Sequence, residues 1–109
     1  MALLSAPIPA SVRMAMRRKA VVDKARIDTA AADLSAQYLT VRAAIENLET
    51  AVEVYDQAVA AGLEQAELNR RQQDIIDRRA NLVRAEEGVR IQERIVTRRF
   101  PEHFQWINK

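Results

Sequence analysis

The chain has 109 residues, enough for one domain at most, and its 49% hydrophobic content leans on alanine, with only 5% aromatics. Two glycines and three prolines exclude the turn-rich all-β and α/β classes, and the lack of cysteine excludes a disulfide framework, a thiol nucleophile and a cysteine metal site. The net charge is only +2, but the signs are segregated: residues 1–26 carry six Lys/Arg against Asp23, residues 27–69 eight acids against Arg42 alone, and residues 70–99 nine arginines against five acids.

Residues 1–10 read as an extended N-terminal arm, with prolines at 7 and 9. The opening "MALLSAPIPASV" is apolar but short, and its basic residues follow it; a secretory signal carries them in front. The chain is therefore not expected to be secreted. Its first 22 residues hold no acid and include Arg13, Arg17, Arg18 and Lys19, a pattern that resembles a mitochondrial transit segment. Mitochondria are the expected location, with the cytoplasm or a virion as alternatives. The same run, with Val12, Met16 and Ala20, has a modest amphipathic split and no Phe or Trp to insert, so peripheral contact with an anionic membrane surface is a secondary expectation. No stretch approaches the roughly 20 apolar residues that span a bilayer.

Ser11 is the expected N-cap of a first helix over residues 11–61, because nothing before Ala61 breaks it. The capping residues of "DTAAADLS" put its one expected bend near Thr29. Within it Leu34, Tyr38, Val41, Ile45, Leu48, Val52, Tyr55 and Val59 follow one another at alternating spacings of 4 and 3, an unbroken heptad seam. Tyr38, Ile45, Val52 and Val59 form one column of that seam, and Leu34, Val41, Leu48 and Tyr55 the other. Beside them runs a column of mostly small residues, Ala30, Gln37, Ala44, Ala51 and Ala58, which lets a neighbouring helix approach closely. Gly62 has the residue type of a left-handed helix end, predicting a turn over 62–65.

A second helix is expected over 66–99, stopped by Pro101, with its own seven-residue column Leu68, Ile75, Leu82, Val89 and Val96. A tight turn sets Val59 opposite Leu68, Val52 opposite Ile75, Ile45 opposite Leu82 and Tyr38 opposite Val89. The expected fold is all-α: a long antiparallel, coiled-coil-like helical hairpin with an extended N-terminal segment and an aromatic tail over 100–109. Its acidic first helix and basic second helix are expected to choose each other through ion pairs, which add specificity more than stability.

In that register the column Leu34, Val41, Leu48 and Tyr55 meets only Gln72, Arg79, Glu86 and Glu93. Each such apolar side chain is worth roughly 1.5–3 kcal/mol when buried, so the open column predicts a docked third helix. The tail adds Phe100, Phe104 and Trp106, large rings of the kind that anchor interfaces. These seven residues are the expected partner-binding set.

Chemistry has little to work with. His103 is the only histidine, Ser5, Ser11 and Ser35 have no base nearby in sequence, and no Gly-rich phosphate loop is present. No catalytic, cofactor or metal site, and no small-molecule substrate, is expected. Fourteen arginines stand against three lysines, but Asp74, Asp77, Glu86, Glu87 and Glu93 interrupt the basic face that nucleic acid would need. The expected function is that of a non-catalytic accessory subunit bound to other proteins of a large complex. In architecture alone the chain resembles accessory subunits of mitochondrial respiratory-chain and ATP synthase complexes. The alternatives are a self-assembling coiled-coil adaptor of bacterial or phage type and, behind it, a basic helical protein associated with nucleic acid.

Overall fold

The computed structural model describes residues 7–108, so most of the expected extended arm over 1–10 lies outside the described residues. Two long helices make up the fold, α1 over Ala10–Ala60 and α2 over Gln65–Arg99, followed by a short 3-10 turn over Gln105–Asn108. Helix α1 begins one residue before the expected cap. The Pro9 carbonyl accepts the first helical bond, from the Arg13 N–H at 3.0 Å, so Ser11 lies inside the first turn instead of capping it. Hydrogen bonding runs through Thr29 without interruption. The Thr29 hydroxyl donates back to the Ala25 carbonyl at 3.0 Å, and Thr40 and Thr50 do the same to Ala36 and Glu46. Threonine within a helix can satisfy itself in this way, so a run of capping residues need not end one. The basic N-terminal segment is thus the first part of α1, not a helix of its own.

The chain divides into two compact units, Met1–Ala32 and Asp33–Lys109. In the first, no described side chain is buried, and Val12, Met16 and Val21 stand 47%, 58% and 68% exposed. The second unit is the hairpin with its tail. Its turn is built as the glycine implied: Gly62 has φ +71°, its N–H donates to the Val59 carbonyl at 3.1 Å, and the Leu63 N–H donates to the Ala58 carbonyl at 3.2 Å. That pair of bonds satisfies two of the last carbonyls of α1 in a Schellman arrangement. Helix α2 opens with the Glu64 carbonyl accepting from Glu67 and Leu68, and it ends on Arg98 and Arg99, whose charges suit a helix C-terminus.

The hairpin closes on a different pair of columns from those the heptads implied. On α1 the covered residues of this unit are Leu34, Gln37, Val41, Ala44, Leu48, Ala51, Val54, Tyr55 and Ala58; on α2 they include Leu68, Arg71, Ile75, Arg78, Leu82, Ala85, Val89 and Val96. Leu34, Ala51, Ala58 and Val96 are no more than 4% exposed, whereas Tyr38, Ile45, Val52 and Val59 are 37–50% exposed. The column expected to be open is therefore the hairpin's own seam, and the column expected to fill the seam lies outside it. The physical reason is the alanine column. Two helices come closest where one presents small residues, so the axis of contact shifts toward Ala44, Ala51 and Ala58, with Leu34, Val41, Leu48 and Tyr55 as their immediate neighbours. Large side chains of α2 then fill the space that alanine leaves.

Arg71 and Arg78 occupy seam positions by lying along it and turning their charges outward, Arg71 to Glu67 at 3.2 Å and Arg78 to Asp74 at 3.1 Å. Ion pairing is the second correction. Every ion pair among the described residues lies within one helix, three or four residues apart, and none crosses from α1 to α2. The acidic and basic segments that were to select one another across the hairpin meet through neutral donors instead. The Tyr38 hydroxyl donates to Glu93 Oε2 at 3.1 Å, and Gln72 Nε2 donates to the Tyr55 hydroxyl at 3.0 Å.

Candidate docking surface

Tyr38, Ile45, Val52 and Val59 stand seven residues apart on α1, which places them in one line along the hairpin. The hydrogen bonds Tyr38–Glu93 and Tyr55–Gln72 show which edge of α2 borders that line. Glu86 lies in the same groove, beside Tyr38, Val41, Val89 and Arg90. Ile76 is one helical turn from Gln72, and Val83 one turn from Glu86, so both fall on this face; each is 57% exposed. Six large apolar side chains thus share one side of the hairpin without cover. The opposite groove is polar and small instead, lined by Thr40, Ala43, Asn47, Asp74, Asp77 and Asn81 among others. Leu39, Ile91 and Ile95 are exposed as well, at 63%, 47% and 42%, but they lie off this line and do not share its seven-residue spacing.

The rim of the stripe is charged. Arg42, Glu49 and Asp56 flank it on α1, and Arg79, Glu86 and Glu93 on α2. Tyr38 marks one end. Partial burial raises its hydroxyl pKa above the ordinary 10.0, and the hydrogen bond to Glu93 and that carboxylate's charge act in the same direction. At neutral pH the phenol is a neutral donor tying α1 to α2 beside the stripe.

In the tail, Pro101 ends α2 and the chain turns back: the His103 and Phe104 N–H groups both donate to the Phe100 carbonyl at 3.2 Å. This brings the three aromatics together, with Phe100 and Phe104 ring centres 6.4 Å apart and Phe104 and Trp106 6.5 Å apart. Phe104 is 4% exposed and Phe100 is half-buried, with the Arg99 guanidinium 5.4 Å from its ring centre. Trp106 is 52% exposed. Two of the three rings are used within the tail, and the third faces outward.

Of the seven residues expected to bind a partner, Leu34 is fully enclosed, and Val41, Leu48 and Tyr55 are half-covered by the hairpin itself. Sequence reasoning passed over Ile45, Val52 and Val59 as outward residues because their spacing is as regular as that of the true seam. The alanine column beside the other four was the signal that separates them.

His103 is exposed, and among the described residues no three His, Asp or Glu side chains gather where they could hold a metal ion. No helix of the described residues is long and apolar enough to cross a membrane. No protein-family model, curated protein or solved structure matches the chain.

Proposed function

We propose that this protein is a non-catalytic structural subunit of a larger protein assembly, and that its hairpin serves as a strut on which other helices dock. The observation that supports this reading is the regular line Tyr38, Ile45, Val52 and Val59, with Ile76 and Val83 on the same face, left uncovered along the hairpin. An apolar line with a charged rim suits one helix lying in the groove. Trp106 offers a second, smaller contact at the end of the strut. The acid-free basic start supports a mitochondrial setting, and a respiratory-chain or ATP synthase complex is the kind of assembly proposed there.

The test is Val52→Arg, a charge in the middle of the stripe and outside the seam. It should remove the protein from its complex on a native gel of a gentle extract while leaving the melting of the purified hairpin nearly unchanged. Unaltered incorporation would remove the stripe from the docking role. Migration of the wild-type protein only as a small species would remove the assembly reading altogether.

A further inference from the structure

The residues that line and border the stripe match one another level by level along the hairpin. Tyr38 and Arg90 line one groove, Asn47 and Asn81 line the other, and Gln72 bonds Tyr55, which fixes the residues that lie level on α1 and α2. Alternate steps of four and three residues from Tyr38 and Arg90, up one helix and down the other, set Arg42 level with Glu86, Ile45 with Val83, Glu49 with Arg79 and Val52 with Ile76. Opposite charges and apolar pairs therefore alternate along the face. Its other charges meet neutral residues: Asp56 is level with Gln72, Arg90 with Tyr38 and Glu93 with Ser35. Yet Glu49, Arg79 and Glu86 take part in no ion pair among the described residues, and Arg42 has only Glu46 of its own helix, at 3.8 Å. All of these residues belong to the hairpin unit, Asp33–Lys109.

We propose that the stripe is covered by the same face of a second copy of this chain, in a two-fold dimer whose axis runs along the hairpins. Helix α1 of each protomer then lies antiparallel on α2 of its partner, and each level match within a chain becomes a contact between chains, made twice by symmetry. Arg42 meets the partner's Glu86 and Glu49 the partner's Arg79, while Ile45 packs on the partner's Val83 and Val52 on the partner's Ile76. The product is a four-helix bundle in which every neighbouring pair of helices is antiparallel. Charge sets the orientation. A two-fold axis across the hairpins, centred on the stripe, would lay α1 on α1 and set Glu49 against Glu49 and Arg79 against Arg79, like on like. The inference rests on the docking reading above, since it takes the stripe as an interface, but it concerns the purified chain alone and is tested without the larger assembly.

The experiment measures the mass of the full chain by analytical ultracentrifugation, for the wild type and for the variants Glu49→Arg and Arg79→Glu. The wild type should be a dimer at about 50 mM salt and weaken as salt rises toward about 500 mM, because exposed charges are then screened. Each variant alone should dimerise about tenfold or more weakly, since two attractions become repulsions. Mixed in equal amounts, the two variants should restore a dimer, because each supplies the charge that the other chain needs; damage within one hairpin would not be mended by mixing. Circular dichroism of each variant checks that helicity is kept, and the melting comparison for Val52→Arg is made at a dilution where the chain is monomeric. Single cysteines give the orientation: Val52→Cys chains should crosslink to Ile76→Cys chains and not to Ile45→Cys chains. A monomeric wild type at low salt, a dimer indifferent to both reversals, variants that fail to rescue one another, or crosslinking to Ile45→Cys in place of Ile76→Cys would each overturn the proposal. A monomeric chain that Val52→Arg still removes from its complex would overturn this inference and leave the docking reading standing. A wild-type dimer with mutual rescue, in a protein that migrates in extracts only as that dimer, would uphold this inference while removing the larger assembly.

Discussion

Residues 10–32 and 33–60 of α1 have the same backbone and the same alanine-rich composition, yet only the second stretch has buried side chains. The difference lies in what stands opposite. From Leu34 onward one side of the helix is small and closes on α2; before it, only Asp23, Ile27 and Ala30 are even partly covered, and none is buried. Helix formation is costly to start but cheap to extend, so a helix nucleated and packed over 33–60 can continue through residues with little tertiary support. Helicity is therefore a poor guide to where stability resides in this chain, and burial is the better one.

The sharpest way to break that comparison is to truncate an apolar side chain in each stretch. Leu34→Ala, at 2% exposure, should cost about 2–5 kcal/mol in urea unfolding. Val21→Ala, at 68% exposure, should stay within about 0.5 kcal/mol for the monomeric chain. Comparable losses at both would mean that the first stretch is packed after all. Next in size, Ala51→Leu tests whether close approach sets the seam. Overfilling a position 4% exposed should destabilise by about 1–3 kcal/mol although the new residue is more hydrophobic.

The two glycines should differ in sign. Gly62→Ala places a side chain at φ +71° and should cost about 1 kcal/mol even though nothing crowds it. Gly88→Ala lies within α2, where the added Cβ meets only Gln37 Oε1, the end of a flexible side chain, at 3.4 Å; thermal melting should show a gain of up to about 1 kcal/mol. The smallest effect is a pH dependence. The folded state raises the Tyr38 pKa, so the stability it contributes is fully present below pH 10.0 and is lost as pH rises through the higher folded value. Tyr38→Phe should remove that alkaline loss in melts followed across this range; an unchanged alkaline profile would place its origin elsewhere.

Much of the fold was legible in the sequence because its punctuation is sparse and physical. Gly62 and Pro101 bound the helices where a left-handed turn and a missing N–H require, and the heptads specify a hairpin. Which heptad column faces inward was harder to read. Leu34/Val41/Leu48/Tyr55 and Tyr38/Ile45/Val52/Val59 are almost equal in hydrophobicity and equal in period, so pattern alone cannot rank them. Neighbouring small residues break the tie, because contact distance depends on what lies beside a large side chain as much as on the side chain itself. Segment charge misled for a related reason: arginines in α2 found carboxylates one turn away on their own helix before any on α1. In the tail, sequence grouped three aromatics as anchors, but only the turn after Pro101 determines that Phe104 faces inward and Trp106 outward.

Adjacent residues on α1 distinguish the two possible seams most directly. The chain has no cysteine, so single thiols at Ala51→Cys and Val52→Cys can be timed against a maleimide reagent in the monomeric protein. Ala51 is 4% exposed and Val52 is 38% exposed. Reaction should be slow at 51, limited by opening of the hairpin, and fast at 52. Fast reaction at 51 with protection at 52 would contradict the alanine-side seam and return Tyr38, Ile45, Val52 and Val59 to the inside of the hairpin.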